Sequence, residues 1–424
     1  MSLLYCLTSK KWDSNMRETK FKKTDIGLIP EEWEITTLGE ISQKPSYGVG
    51  AEAIPFNGYD KYIRITDIDD SNGAYVPNPI VSPSFYSDQH IVRENDLLVA
   101  RTGASVGKSY LYNKKDGKLI FAGFLMKLNI CAANSQLVFY NTKTNRYQSW
   151  VASESARTGQ PGLNIEQLKS FQLAVPSNDN EQRRIAKALR DIDGLISSLT
   201  KLIEKKQNIK TATMQQLLTG KKRLEGFTEP WVTIKLSETG YMTAGGTPST
   251  LIADYWGGEI NWVQSGVIHD CIVKESQVEK RITLKGLQNS ATHLIKKDSV
   301  LVAITGATCG NVAYLPFEST ANQSVISIET NSQYNSYFLY NLLKIYRNMI
   351  LELRSGSAQG GVNLASLRQM EVLVPPTFDE QTAIANILTS MDNEISALEA
   401  KKAKYESIKK GMMQELLTGR IRLV

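Results

Sequence analysis

Residues 180–220, NEQRRIAKALRDIDGLISSLTKLIEKKQNIKTATMQQLLTG, decide the architecture, because the chain writes them a second time as residues 379–419, DEQTAIANILTSMDNEISALEAKKAKYESIKKGMMQELLTG. The copies lie 199 residues apart with no gap. Glu181-Gln182 matches Glu380-Gln381, Ile185-Ala186 matches Ile384-Ala385, Asp193 matches Asp392, and Leu217-Leu218-Thr219-Gly220 matches Leu416-Leu417-Thr418-Gly419. Neither copy contains proline. In the first, Ile185, Leu189, Ile192, Ile196, Leu199 and Ile203 follow a 4-3-4-3-4 spacing; in the second, Ile384, Leu388, Met391, Ile395 and Leu398 do the same, followed by Tyr405 and Met412. That is a heptad seam, and it predicts two long helices that pack on each other. Asn178 or Asn180 can cap the first helix, and Gly220 and Gly419 are placed to end the two in a left-handed turn. At 1.5 Å per residue each helix would run roughly 50–60 Å. The heptads alone permit either parallel or antiparallel packing.

Outward from these tails the repeat continues. Asn164 meets Asn363, and Pro176 meets Pro375. Trp33 and Leu38 match Trp231 and Leu236, and Leu98-Val99-Ala100-x-Thr102-Gly103-Ala104-x-x-Gly107 matches Leu301-Val302-Ala303-x-Thr305-Gly306-Ala307-x-x-Gly310. Each half is therefore a globular segment followed by a helical tail. Runs such as Leu97–Ala100, Val300–Ile304 and Val325–Ile328, set between Gly, Pro, Asn and Ser turns, read as strands, and Phe338–Met349 reads as a helix. The fold class is α/β (α+β): two strand-rich domains joined by two long helices, with a pseudo-twofold internal repeat. The expected boundaries are 1–24 for an N-terminal extension, 25–178 and 224–377 for the globular domains, and 179–223 and 378–424 for the helical spacers. Trp33 and Trp231 read as core anchors at the two domain starts. The globular segments diverge while the tails do not, which suggests two readers of different things on one frame.

Composition narrows the class. Hydrophobic residues make up 42% and charged residues 22%, and the net charge is +6, a lean that permits nucleic acid without establishing it. No apolar run reaches the ~18–20 residues of a membrane span, so the expected location is the cytoplasm, with no membrane partner. Cys6, Cys131, Cys271 and Cys309 are scattered and the three histidines are unclustered, so no metal site is expected. Thr102–Ser109 looks like a phosphate-binding loop, but only three residues separate Gly103 from Gly107 where four are required, and the second copy has Asn311 in place of Lys108. Asp67, Asp69 and Asp70 read as a solvated acidic turn, because their counterparts include Ser265 and Val267. No nucleophile elbow or dinucleotide fingerprint is present. The chain reads as non-catalytic, with no catalytic residue and no cofactor of its own. The lysines at 201, 205, 206, 210, 401, 402, 404, 409 and 410 read as a solvated helix face, with a phosphate track as the functional alternative.

Several motifs, in order and repeated, resemble the specificity subunits of type I restriction–modification enzymes. Ile26-Gly27-Leu28-Ile29-Pro30-Glu31-Glu32-Trp33, with Leu38-Gly39-Glu40, is similar to the family's opening. Ala244-Gly245-Gly246-Thr247-Pro248-Ser249, followed by Tyr255–Trp262, resembles the start of its target recognition domains; the first copy has Ser46-Tyr47-Gly48-Val49-Gly50 instead. Leu301–Gly310 and its twin resemble the shared T-G-A-x-x-G loop. The stretches Gln160…Leu163-Asn164 and Gln359…Val362-Asn363 resemble the domain ends. The resemblance covers roughly residues 16–424. It implies two target recognition domains on an antiparallel coiled coil, each reading one half of a split site in double-stranded DNA. It further implies two modification (methyltransferase) subunits carrying S-adenosylmethionine, and restriction subunits carrying ATP and Mg. The competing reading is a coiled-coil scaffold whose two domains bind something other than DNA.

Base edges are read by paired donors and acceptors, and phosphates by Lys, Arg, Ser and Thr. On motif position and chemistry, the candidate DNA-binding residues of the first domain are Ser46, Tyr47, Arg64, Arg101, Thr102, Lys108, Arg157 and Gln160. In the second they are Thr247, Ser249, Trp262, Gln264, Thr305, Asn311, Asn322, Gln323, Arg354 and Gln359.

Overall fold

The short apolar runs become strands Asp96–Ala100, Ser299–Ala303 and Val325–Thr330. In the first two every residue is buried, and alternate side chains enter different cores. Leu97 and Val99 join one cluster, while Leu98 and Ala100 join another. Val300 and Val302 likewise separate from Leu301 and Ala303. Successive strand residues point to opposite faces, so a continuous apolar run marks a strand covered on both sides.

The computed structural model describes residues 19–156, 162–355 and 360–424. The chain divides into two units, 1–199 with 401–424, and 200–400. In the first, an antiparallel four-stranded sheet runs in the order Ser42–Tyr47, Leu125–Ile130, Asp96–Ala100, Ser109–Leu111. The second repeats it as Gly240–Ala244, Val325–Thr330, Ser299–Ala303, Val312–Leu315. A two-stranded ribbon closes each domain, Trp33–Thr37 with Gln172–Pro176 and Val232–Lys235 with Glu371–Val374. The expected helix over Phe338–Met349 is two helices, Ser336–Ile345 and Arg347–Glu352. Tyr346 breaks it at φ −84° and ψ 6°, and its phenol oxygen accepts the Leu373 N–H at 3.0 Å.

The tails are helices Asp179–Leu217 and Phe378–Leu416, each of 39 residues. Asn178 accepts the Asn180 N–H at 2.8 Å and caps the first. Gly220 and Gly419 adopt φ of +68° and +69°, the left-handed geometry expected of helix-ending glycines. In the first unit Ile185, Leu189 and Ile192 share a core with Met412, Leu416 and Leu417, and Asp193 pairs with Lys409 at 2.7 Å. In the second, Ile384 and Leu388 share a core with Met214, Leu217 and Leu218. There Lys206 pairs with Glu394, and Lys210 with Asp392. Within each unit the start of one helix lies against the end of the other. Packing is antiparallel, the choice that the heptads leave open.

The repeated Glu-Gln pair explains how each helix start is held. Glu181 and Glu380 are each 1% exposed. Arg422 donates from Nε and Nη2 to the two oxygens of Glu181, reaches Glu32 at 2.8 Å, and lies 6.0 Å over the Trp33 ring. Arg223 donates to Glu380 at 2.7 and 2.9 Å and lies 6.0 Å over Trp231, whose Nε1 donates to the same carboxylate. Gln182 accepts the Asn134 N–H and donates to the Pro176 carbonyl, both at 2.8 Å. Gln381 does the same with Asn335 and Pro375. The glutamate thus fastens the opposite helix's end, and the glutamine fastens the globular domain. Trp33 is buried as expected, whereas Trp231 is half-buried.

Two of the lysines assigned to a solvated face belong elsewhere. Lys409 and the Tyr140 hydroxyl share Asp193, and Lys210 and the Tyr337 hydroxyl share Asp392. Lys201, Lys205, Lys401, Lys404 and Lys410 are exposed. No helix among the described residues is long and apolar enough to cross a membrane.

Removing Arg422 would leave Glu181 as a buried charge without its cation. Chemical denaturation of Arg422→Ala should show a loss of about 3–5 kcal/mol. Part of that loss should return in the double variant Arg422→Ala, Glu181→Gln. A loss below about 1 kcal/mol, the range of an exposed pair, would contradict the reading.

Candidate nucleic-acid interface

The T-G-A-x-x-G loop is a hairpin connection in both units. It joins Asp96–Ala100 to Ser109–Leu111, and Ser299–Ala303 to Val312–Leu315. Gly103 and Gly107 take φ of +76° and +82°, and Gly306 and Gly310 take +71° and +84°. Gly107 donates to the Ala100 carbonyl at 2.9 Å, and Gly310 to Ala303 at 2.8 Å. A phosphate-binding loop delivers its anion to a helix N-terminus. This loop runs into a second strand and not into an α-helix. Among the described residues no group of three His, Cys, Asp or Glu side chains could hold a metal ion.

In the first domain the sheet end gathers Tyr47, Arg101 and Thr102. Gly48 makes this possible: a Cβ there would lie 2.1 Å from the Ala122 carbonyl oxygen, so only glycine admits so close a strand. The Arg101 N–H donates to Phe124 O at 3.0 Å, its carbonyl accepts from Leu163 at 2.8 Å, and Thr102 bridges to Gly162. The Arg101 guanidinium lies 4.7 Å over the Tyr47 ring, and the Tyr47 hydroxyl accepts the Ile165 N–H at 3.2 Å. Arg101 Nε and Ser46 Oγ are buried and have no hydrogen-bond partner among the described residues. Arg64 is folded back on Asp67 through two bonds of 2.9 and 2.7 Å. Lys108 pairs with Asp70 at 2.7 Å. Arg157 and Gln160 lie outside the described residues.

In the second domain Gly245 takes the part of Gly48. Its Cβ would lie 2.3 Å from the carbonyl oxygens of Ala321 and Asn322. The Gly-Gly-Thr-Pro element that the first copy lacks is thus represented there by one glycine. Trp262 is 4% exposed; its Nε1 donates to Gly246 O at 3.0 Å and its ring meets Trp256 edge-on at 5.0 Å. Trp256 Nε1 in turn donates to Ser249 O at 3.1 Å. Thr247 and Gln323 are exposed, and the Thr247 hydroxyl donates to the Gln323 Oε1. Asn322 lies beside Val263 through its backbone N–H and accepts the Ser324 N–H at 3.2 Å. Gln264 and Thr305 stand at the starts of the short turns Ser265–Val267 and Gly306–Thr308. Asn311 is fixed between the Ile268 carbonyl and Arg347 Nε, each at 3.1 Å. Arg354 donates from Nε to Cys309 Sγ at 3.2 Å. Gln359 lies outside the described residues.

Three features escape sequence reading. Asn164 and Asn363 are helix caps, accepting from Gln167 at 2.8 Å and Ser366 at 2.7 Å. Phe124 is 64% exposed beside Arg101; its only sequence signal is an aromatic residue following a glycine. Lys143 donates to Ser109 O at 2.9 Å, and burial, with Lys409 and Lys108 nearby, lowers its pKa to about 8.

The chain matches the type I restriction modification DNA specificity domain twice, over residues 30–211 and 228–409. It is similar to two specificity subunits of Methanocaldococcus jannaschii. The MjaVIII type I restriction enzyme subunit is 24% identical, with 96% of this chain and 97% of that one covered. The MjaX subunit, itself a provisional assignment, is 25% identical, with 96% and 98% covered. Among solved structures, the S subunit of a type I restriction–modification system from M. genitalium superposes with a TM-score of 0.63 at 17% identity, covering 91% of this chain and 96% of that one. With the fold written twice and both copies matched, the chain belongs to the family of DNA specificity subunits of type I restriction–modification systems.

Proposed function

We propose that the chain reads a split DNA site with two domains, 25–178 and 224–377, each taking one half. The paired helices, 179–223 and 378–424, set the gap between the halves. One observation carries this reading: the same four-stranded sheet and the same hairpin loop occur in both domains, yet the side chains at the sheet end differ. The Arg101–Tyr47 stack stands in one domain and the Thr247–Gln323 hydrogen bond in the other. A shared backbone with different polar groups suits two readers of different sequences, because bases are distinguished by donor and acceptor pattern. Half-sites on one face of a duplex recur about every 34–36 Å, a distance that helices of 39 residues can span.

Tyr47, Arg101 and Thr102 in the first domain, and Thr247, Ser249, Gln264, Thr305, Asn322 and Gln323 in the second, are the proposed DNA contacts. Trp262 and Asn311 support the second site by holding its loops. Arg64 and Lys108 would reach a phosphate only by leaving Asp67 and Asp70. The partners are two modification subunits, which would bring S-adenosylmethionine and methyl transfer, and restriction subunits, which would bring ATP and Mg. A solved structure that addresses complex assembly of the type I R-M system, similar to this chain with a TM-score of 0.53 at 17% identity, is in keeping with such an assembly.

Single-molecule sequencing of methylated bases in genomic DNA, with and without this gene, tests the reading. Loss of one split motif while the modification machinery is still expressed is the expected result. An unchanged methylation pattern would count against it. Inserting one heptad in each helix should leave both half-sites intact and change only their gap; an unaltered gap would rule out the spacer role.

A further inference from the structure

Three paired positions separate the chemistry of the two sheet ends. Tyr47, Arg101 and Phe124 in the first domain correspond to Ala244, Ile304 and Ser324 in the second. Backbone bonds establish the correspondence. Arg101 donates to Phe124 O and accepts from Leu163, as Ile304 donates to Ser324 O and accepts from Val362. Gly48 donates to Leu125 O as Gly245 donates to Val325 O, which aligns the preceding Tyr47 with Ala244.

Arg101 differs from the other arginines of its unit that hold carboxylates. Arg64 is held by Asp67, and Arg422 by Glu181 and Glu32. Arg101 has a ring beneath it instead, and its Nε–H is buried without an acceptor among the described residues. A buried donor left unpaired is costly, and stacking on an aromatic ring holds a guanidinium plane without using its Nη–H groups. Tyr47 is 40% and Phe124 64% exposed, so the edge is flanked by open aromatic surface rather than by competing acids.

We propose that Arg101, held flat on Tyr47, reads a guanine in the half-site of the first domain, and that the second domain has no counterpart to this contact. The inference rests on the reading of residues 25–178 as one of two DNA readers. Guanine presents two acceptors, O6 and N7, that match a guanidinium fork. Phosphates are the same at every sequence, so a phosphate ligand would be useful to both domains alike; a cation that gives way to Ile304 in the other copy follows the part of the target that varies.

The test uses the full chain expressed with its modification subunits, with genome-wide sequencing of methylated bases for wild type, Arg101→Ala, Arg101→Lys, Tyr47→Phe and Tyr47→Ala. The expected wild-type motif carries a guanine in one half. Both Arg101 variants should lose roughly 5- to 150-fold discrimination at that base, with the gap and the other half unchanged. Tyr47→Ala should weaken the discrimination at the same base, and Tyr47→Phe, which keeps the ring under the guanidinium, should weaken it less. Arg101→Lys retains charge and stem, so it decides the matter if Arg101→Ala does not assemble. The inference is overturned if neither half of the motif holds a G·C pair or if the Arg101 variants keep the discrimination intact. It is also overturned if modification falls equally on all sequences with a shallower salt dependence of DNA retention, the mark of a phosphate contact. If no split motif depends on the gene at all, the underlying DNA-reader assignment fails first.

Discussion

A carboxylate at 1% exposure has to find a cation, and in each unit that cation arrives from the far end of the other helix. Glu181 meets Arg422, 241 residues away, and Glu380 meets Arg223, 157 residues away. An unpaired charge in the interior would cost several kcal/mol, so neither unit closes until both helices are formed and docked. The neighbouring glutamines carry the constraint outward: Gln182 and Gln381 each take a backbone N–H from a loop of the globular domain and return one to a proline carbonyl. Asp193 and Asp392 repeat the arrangement further along, each shared by a lysine of the opposite helix and a tyrosine of the domain. The globular parts are thereby fixed to the helices through side chains present in both copies.

That division of labour explains where the sequence repeats and where it diverges. The helix residues that fasten each domain recur at matched positions, although the tyrosines they hold do not, since Tyr140 follows the cap Asn134 by six residues and Tyr337 follows Asn335 by two. Most residues at the exposed end of each sheet differ between the copies: Tyr47, Arg101 and Phe124 give way to Ala244, Ile304 and Ser324, while Thr102 and Thr305 are shared. The two glycines at the matched close approach, Gly48 and Gly245, keep the backbone common, and what stands on that backbone can change without disturbing the cores below. Recognition groups on loops held by a rigid scaffold are free to vary in this way.

The helices were legible because a seam with a 3.5-residue period and terminal glycines leaves few alternatives. Their antiparallel sense was not, since heptads are silent on direction; the ion pairs Asp193–Lys409 and Lys206–Glu394 decide it. The buried strands were readable as apolar runs, but their order depends on pairings between distant segments. Among the candidate DNA contacts, side-chain type alone could not tell an available cation from an occupied one. Lys108 and Arg101 look alike in sequence, yet Asp70 pairs with the first while the second rests on Tyr47. Trp262 carried a recognition-like signature, but its indole N–H is spent on the Gly246 carbonyl. Phe124 drew no notice because nothing local distinguishes an exposed phenylalanine from a buried one.

The claim that one frame carries two interchangeable readers meets its most direct measurement in a chain whose residues 224–377 are replaced by a second copy of 25–178. Expressed with the modification subunits and followed by sequencing of methylated bases, this chain should modify a split site composed of two copies of the half that the first domain reads, with the original gap. Retention of the original second half would contradict the account, because recognition would then reside outside the exchanged domain.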